Sequence, residues 1–370
     1  MAIGWSGSNG GITQNYKPIS AKDLRLDYIQ QMNFYPLEVS YFINNRCNLQ
    51  CRHCYVGYEN GKDSLSIKDW RKVFDECIEI GGLTFGNVGK EPLLSWQKTK
   101  NLLLYFKEQR EEKPKLRFGL VTNGLLLNEK KIEEINKINP DYMDISLDGT
   151  EKVHNAIRGK DTYNKLMANL LLLSRYDLLK KVFVSFTINR LNCDCIAEVV
   201  ETVYKIGIRN FLLSPFITLN TNEELYLADM FILPRMNKLV QGDLIDFSQY
   251  DDLNIYVKNN FSSPSSSLMV ELVNERIIDK KNIFIDEYGV IFNKYSFNGN
   301  TVYFNYLPWD NAFVQAIRIS HDGYISNCYD MFFKDYPNRT VGNVREKSIR
   351  EILRIQLSPF GKGGANRNRR

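Results

Sequence analysis

The sequence has no apolar run near the ~20 residues that a membrane-spanning helix needs, so no membrane span is expected. Met1 to Ser20 is rich in Gly, Ser and Asn and lacks an apolar core, which excludes a signal peptide. Charge of one sign is also scarce. The net charge is +5, and Arg367, Arg369 and Arg370 supply part of it at the very end. That is too small and too local for nucleic-acid binding. A disulfide framework is missing as well, since seven cysteines is an odd number and no export signal accompanies them. Thiols without export point to the cytoplasm.

What is present is an ordinary soluble composition, 44% apolar and 25% charged, over 370 residues. That length allows one large domain and a smaller one. Three of the cysteines crowd into one stretch, Cys47-Asn48-Leu49-Gln50-Cys51-Arg52-His53-Cys54. The apolar and aromatic run Leu37 to Ile43 precedes them and reads as a strand. The sulfurs therefore sit on a loop leaving a strand's C-terminal end. Such thiolates suit an iron–sulfur centre or zinc. Zinc would take His53 as a fourth ligand, yet no second Cys or His pair follows at knuckle spacing. Cys77 lies on an apolar helical stripe and reads as core. Cys193 and Cys195 open a later helix and read as structural.

Strand-like and helix-like segments alternate after the cysteines. Strands are expected at 82–86, 116–122, 142–147, 181–188 and 208–213, and helices at 66–80, 95–112, 128–138, 161–176 and 194–205. With Leu37 to Ile43 that makes six strands and five helices. The fold class is α/β, a partial (β/α)6 TIM-like barrel with a smaller α+β C-terminal extension. Six units are too few to close an eight-stranded barrel, and functional groups should gather at the strands' C-terminal ends. The organisation expected is a flexible N-terminal extension over 1–35 and a core barrel over 36–220. A helix and substrate-shaping insertion come next over 221–310, then a C-terminal region with a basic tail over 311–370. A helix over Glu223 to Val240, a Ser-rich loop at Ser262 to Ser267 and hairpins around Glu287-Tyr288-Gly289 and Asp322-Gly323 fall in the last two segments.

The cysteine loop, with a ring residue before its third cysteine, resembles the cluster loop of the radical S-adenosylmethionine (radical SAM) enzymes. The order of the later motifs along the chain strengthens this. Gly89-Lys90-Glu91-Pro92 is similar to the family's Gly-Gly-Glu-Pro, with Lys90 in place of the second glycine. Thr122-Asn123-Gly124 matches its Thr-Asn-Gly. Ser146-Leu147-Asp148-Gly149, then His154-Asn155 and Arg158, resembles the run found in members with a SPASM or twitch extension. The resemblance implies one 4Fe-4S cluster held by Cys47, Cys51 and Cys54, with S-adenosylmethionine on the open iron. It implies cofactor contacts from His53, Gly89, Glu91, Pro92, Asn123, Ser146, Asp148, Arg158, Ser185 and Asn189, and from the main chain of Leu213. Arg158 would grip the cofactor's carboxylate, for which its fork is suited. His154 shapes the loop.

Ile317 to Cys328, followed by Val341-Gly342-Asn343-Val344, resembles a SPASM-type extension reduced to one cysteine. One thiol cannot hold a cluster, so a single cluster is expected. Cys328 is then a buried remnant or a hydrogen donor to a substrate radical. The chemistry implied is reductive cleavage of S-adenosylmethionine to a 5′-deoxyadenosyl radical and hydrogen abstraction from a substrate. A flavodoxin- or ferredoxin-type electron donor would be a partner. The substrate would be a peptide, as for much of the SPASM group, or a small molecule such as a sugar or antibiotic precursor. Too little chain precedes Leu37 for a separate leader-peptide-binding domain. A zinc-stabilised binding module is the alternative from another class.

Overall fold

The computed structural model describes residues 16–18, 38–54, 56, 61, 65–215, 223–225, 229–257, 282–286, 291–305, 316–326, 340 and 342–352. Its centre is the alternation expected. Strands β1 (Tyr16–Pro18), β2 (Glu38–Tyr41), β3 (Thr84–Asn87), β4 (Arg117–Thr122), β5 (Tyr142–Ser146), β6 (Val182–Ile188) and β7 (Asn210–Pro215) come first. Helices α1 (Ile67–Glu79), α2 (Trp96–Glu112), α3 (Glu129–Ile138), α4 (Glu151–Arg158), α5 (Thr162–Leu173) and α6 (Ile196–Ile206) lie between them. The chain continues through α7 (Asp229–Gln241), β8 (Asn254–Val257), β9 (Ile283–Asp286), β10 (Ile291–Phe297), β11 (Asn300–Asn305), β12 (Ala316–Ile319), β13 (Tyr324–Ser326) and β14 (Gly342–Asn343).

All the strands belong to one 14-stranded sheet in the order β1-β9-β10-β11-β8-β7-β6-β5-β4-β3-β2-β12-β13-β14. From β2 to β7 every neighbouring pair is parallel. Parallel pairing demands a crossover between consecutive strands, and the helices supply it. The fold is thus the α/β partial barrel read from the sequence.

Local chemistry explains the elements. Ser66 and Asp69 form a reciprocal capping box that starts α1. Trp70, Val73, Phe74, Cys77 and Ile78 recur at helical spacing and are buried. They pack with Val39, Tyr41, Phe85, Phe106 and Phe118 in one core cluster. In β6 the period of two divides the strand. Val182, Val184, Phe186 and Ile188 join Leu166, Leu170, Val199 and Val203 of the helices. Phe183 joins Tyr142, Leu212 and Tyr256 in a separate cluster on the other face. Gly119 is required here, because a Cβ on it would lie 2.3 Å from the Tyr142 ring.

Five features differ from the sequence expectation. The His154 to Arg158 run is helix α4, not loop. Only His154 and Ile157 of its eight residues are buried, too few to show a period. The parallel run does not stop at six strands: β8 joins β7, β11 joins β8 and β12 joins β2, all parallel. The helix expected over Glu223 to Val240 is a short 3₁₀ turn at Glu223–Leu225 and then α7. Between β10 and β11 lies an unanticipated hairpin at Asn298-Gly299, both with positive φ, 45° and 92°. In the N-terminal extension, Tyr16–Pro18 is a strand paired antiparallel with β9.

Candidate active site

The cysteine loop leaves β2 at the end where the loops of β3, β4 and β5 also emerge, and four contacts fix it. Asn44, 1% exposed, donates to the carbonyl of Glu91 at 2.9 Å and accepts from Arg46 N–H. Glu91 N–H donates to the carbonyl of Arg46 at 2.9 Å. Asn123, at the end of β4, donates to the side chain of Asn48 at 2.9 Å. Arg52 N–H donates to the carbonyl of Ile157 in α4 at 2.9 Å. Within the loop, Cys54 N–H donates to the Cys51 carbonyl at 2.9 Å and Leu49 N–H to Sγ of Cys47 at 3.4 Å. Cys51 is buried; Cys47 and Cys54 are partly exposed, and none is in a disulfide. Burial pushes the Cys51 thiol up to about 12 despite the nearby Arg158 cation. Binding of a metal there would release its proton.

Next to Cys51 lies a buried charged network. Nε of Arg158, the last residue of α4, donates to Oδ2 of Asp148. Its Nη1 lies 3.8 Å from Sγ of Cys51 and its Nη2 3.5 Å from Nε2 of His53. Oδ1 of Asp148 accepts from Thr187 N–H at 2.7 Å. Burial alone would raise the Asp148 carboxyl. The Arg158 guanidinium and the Thr187 N–H outweigh it and hold the group below the usual carboxylate range. Burial lowers His53 to about 4, so the ring is neutral although Asp148 lies 3.6 Å away. Nε2 thus faces both a donor, Arg158 Nη2, and an acceptor, Asp148 Oδ2, while the second ring nitrogen is Nδ1. That Nδ1 is buried with no hydrogen-bond partner among the described residues. His154 is also buried and neutral, lowered to about 3. Its Nδ1 accepts from Asp148 N–H at 3.1 Å, which shapes the loop after β5.

The other residues named from the sequence divide into two groups. Ser146, the last residue of β5, and Ser185, in the middle of β6, are register partners, both half-buried, and Ser185 donates to Asp144. Of the rest, all but the half-buried Gly89 are more enclosed. Glu91 is fully buried, and its carboxylate accepts from Leu93 N–H, Thr122 Oγ1 and Asn123 N–H at 3.0, 2.7 and 2.9 Å. Asn189, 0% exposed, turns into its own loop toward Thr187 and Leu191. The Leu213 side chain is in the core. Pro92 starts a 3₁₀ turn, and Gly89 takes φ +61° against the ring of Phe42. Lys90 takes φ +52°, a conformation that glycine adopts freely, where the resemblance expects glycine. Cys328 lies outside the described residues. The clamps Asn44 and Asn48 do not stand out in the sequence, nor does Asn192, which donates to the carbonyls of Asp148 and Thr187. None of the three falls at a spacing that marks it.

Residues 41–214 match the family described as the radical SAM superfamily. An uncharacterised protein of Methanocaldococcus jannaschii is 23% identical over 255 residues, which is 68% of this chain and 82% of that protein. The sporulation killing factor maturation protein SkfB of Bacillus subtilis is 26% identical over 181 residues, 47% of this chain and 41% of SkfB. Among solved structures, Streptococcus suis SuiB bound to S-adenosylmethionine has a TM-score of 0.63 at 17% identity, covering 88% of this chain and 68% of SuiB. SuiB has also been solved bound to the precursor peptide SuiA. At such identity the likeness shows the fold. The matched stretch starts in β2, ends in β7, and holds the three cysteines and the charged network beside them. Residues 41–214 of this chain are a domain of the radical SAM superfamily.

Proposed function

We propose that the chain binds one 4Fe-4S cluster through Cys47, Cys51 and Cys54, binds S-adenosylmethionine beside it, and takes hydrogen from a peptide substrate. The observation that carries this is the single loop of three thiols within a radical SAM domain, clamped at the C-terminal ends of parallel strands. The donor set fits the cluster: three soft ligands and no fourth cysteine on the loop. The buried Nδ1 of His53 is a further polar atom left for a ligand. The zinc alternative needs His53 as its fourth ligand, and no second Cys or His pair follows the loop at knuckle spacing.

When bound, the cluster and S-adenosylmethionine supply one electron and a 5′-deoxyadenosyl radical. The protein's own residues hold and shield. Ser146 and Ser185, half-buried register partners on β5 and β6, face the cofactor. Glu91 and Asn123 act from behind, fixing the cysteine loop against β4. Asp148 and Arg158 hold the base of the site. A flavodoxin- or ferredoxin-type protein delivers the electron in the cytoplasm, and no helix of the described residues is long and apolar enough to cross a membrane. SkfB's name as a maturation protein and the precursor bound to SuiB favour a peptide over a small molecule.

Anaerobic reconstitution with iron and sulfide tests the cluster. About four irons and four sulfides per chain are expected, with loss on replacing any of Cys47, Cys51 or Cys54 by Ala. A colourless protein that takes up zinc instead would overturn the proposal.

A further inference from the structure

We infer that Arg158 raises the reduction potential of the iron–sulfur cluster through the sulfur of Cys51, with Asp148 as the residue that positions it. This deepens the proposed function and rests on the cluster being bound. The guanidinium is held on three sides, by Asp148 at Nε, His53 at Nη2 and the Cys51 sulfur at Nη1. Its helix cannot drift from the cysteine loop, because Arg52 N–H is bonded to the carbonyl of the preceding residue, Ile157. The Arg158 side chain is 10% exposed and Asp148 0%, so water does little to screen the cation.

Charge sets the direction. Reduction adds one electron and no proton, so the reduced site is more negative by one. A fixed cation whose N–H points at a ligand sulfur stabilises that form more than the oxidised one, and hydrogen bonds to the sulfurs are a known lever on such potentials. Asp148 spends its charge on Nε and leaves Nη1 aimed at sulfur. Lysine would keep the charge but could not serve Asp148 and Cys51 together.

The test is a reductive titration of reconstituted wild type, Arg158→Gln and Arg158→Lys, without S-adenosylmethionine, followed by electron paramagnetic resonance. Iron and sulfide are counted on each. The Gln variant should lose about tenfold in the equilibrium constant for reduction, about 59 mV lower for a one-electron couple. The Lys variant should shift the same way by less. A role confined to gripping the cofactor's carboxylate would leave these cofactor-free potentials unchanged, and unchanged potentials at full iron content overturn the inference alone. Should the Gln variant fail to fold, the Lys variant decides: a lower potential supports the inference, an unchanged one overturns it. Wild type that takes up no iron overturns the inference and the proposed function together.

Discussion

Nη1 of Arg158 lies 3.8 Å from Sγ of Cys51 while Nε of the same guanidinium donates to Asp148. One side chain thus joins the cysteine loop, helix α4 and the loop after β5. Much of the site's rigidity passes through it.

Asp148→Ala would leave that guanidinium buried without its carboxylate. The expected loss is roughly 3–5 kcal/mol in denaturant unfolding, because an unpartnered buried charge is costly. Asp148→Asn, which keeps an acceptor, should lose less. The Asp148 carboxyl is held below its ordinary 3.8. Its stabilisation is therefore present above that pH and lost as acid protonates the folded state. The gap between wild type and Asp148→Asn should narrow on acidification below pH 3.8. A gap independent of pH would contradict the assignment.

Glu91 should behave in the opposite sense. Burial raises it from 4.5 to about 7, although three donors work against the shift. Between those values the native state binds more protons than the unfolded one, so this group's contribution falls as pH rises. The whole window is worth about 3 kcal/mol. Unfolding measured at about pH 5 and about pH 7.5 should show that decline in wild type and not in Glu91→Gln. Equal slopes would show that the three donors keep the carboxyl near its ordinary value.

Lys90 occupies the left-handed region at φ +52°. Replacing it by glycine should stabilise the protein by roughly 0.5–1 kcal/mol or be neutral, since relief of strain is set against a more flexible unfolded chain. Replacing it by valine should cost more than about 1 kcal/mol. Urea unfolding of both variants checks this, and a tolerated valine would contradict the backbone reading.

Phe106 has ring contacts to Phe74 and Phe85 at 4.8 Å and is fully buried. Phe106→Ala should cost about 3–5 kcal/mol through the cavity left between α2 and the sheet. A loss under about 1 kcal/mol would mean that the cluster collapses to fill the space.

The central alternation was legible because long elements declare their period. Trp70, Val73, Phe74, Cys77 and Ile78 mark α1, and Val182 to Ile188 marks β6. Helix α4 was not legible, since eight residues with two buried show no stripe. Strand β8 is only four residues long, and what makes it part of the barrel is its partner β7, far away in sequence. The Asn298-Gly299 turn is an Asn-Gly hairpin signal between strand-forming Tyr295, Phe297, Val302 and Tyr303, so it was legible although the expectation left it out. In the site, the cysteines, Asp148 and Arg158 stood out by motif, but the ion pair between the last two did not, since the resemblance gives Arg158 to the cofactor's carboxylate. The use of Glu91 as a buried clamp did not, because two of its three donors, Thr122 and Asn123, come from the end of another strand.

The most direct test of the account is the formation of 5′-deoxyadenosine. Anaerobically reconstituted protein, given S-adenosylmethionine and a strong one-electron reductant, should release it, and Cys51→Ala should not. Protein that carries a full cluster, is reduced, and still forms no 5′-deoxyadenosine would contradict the account.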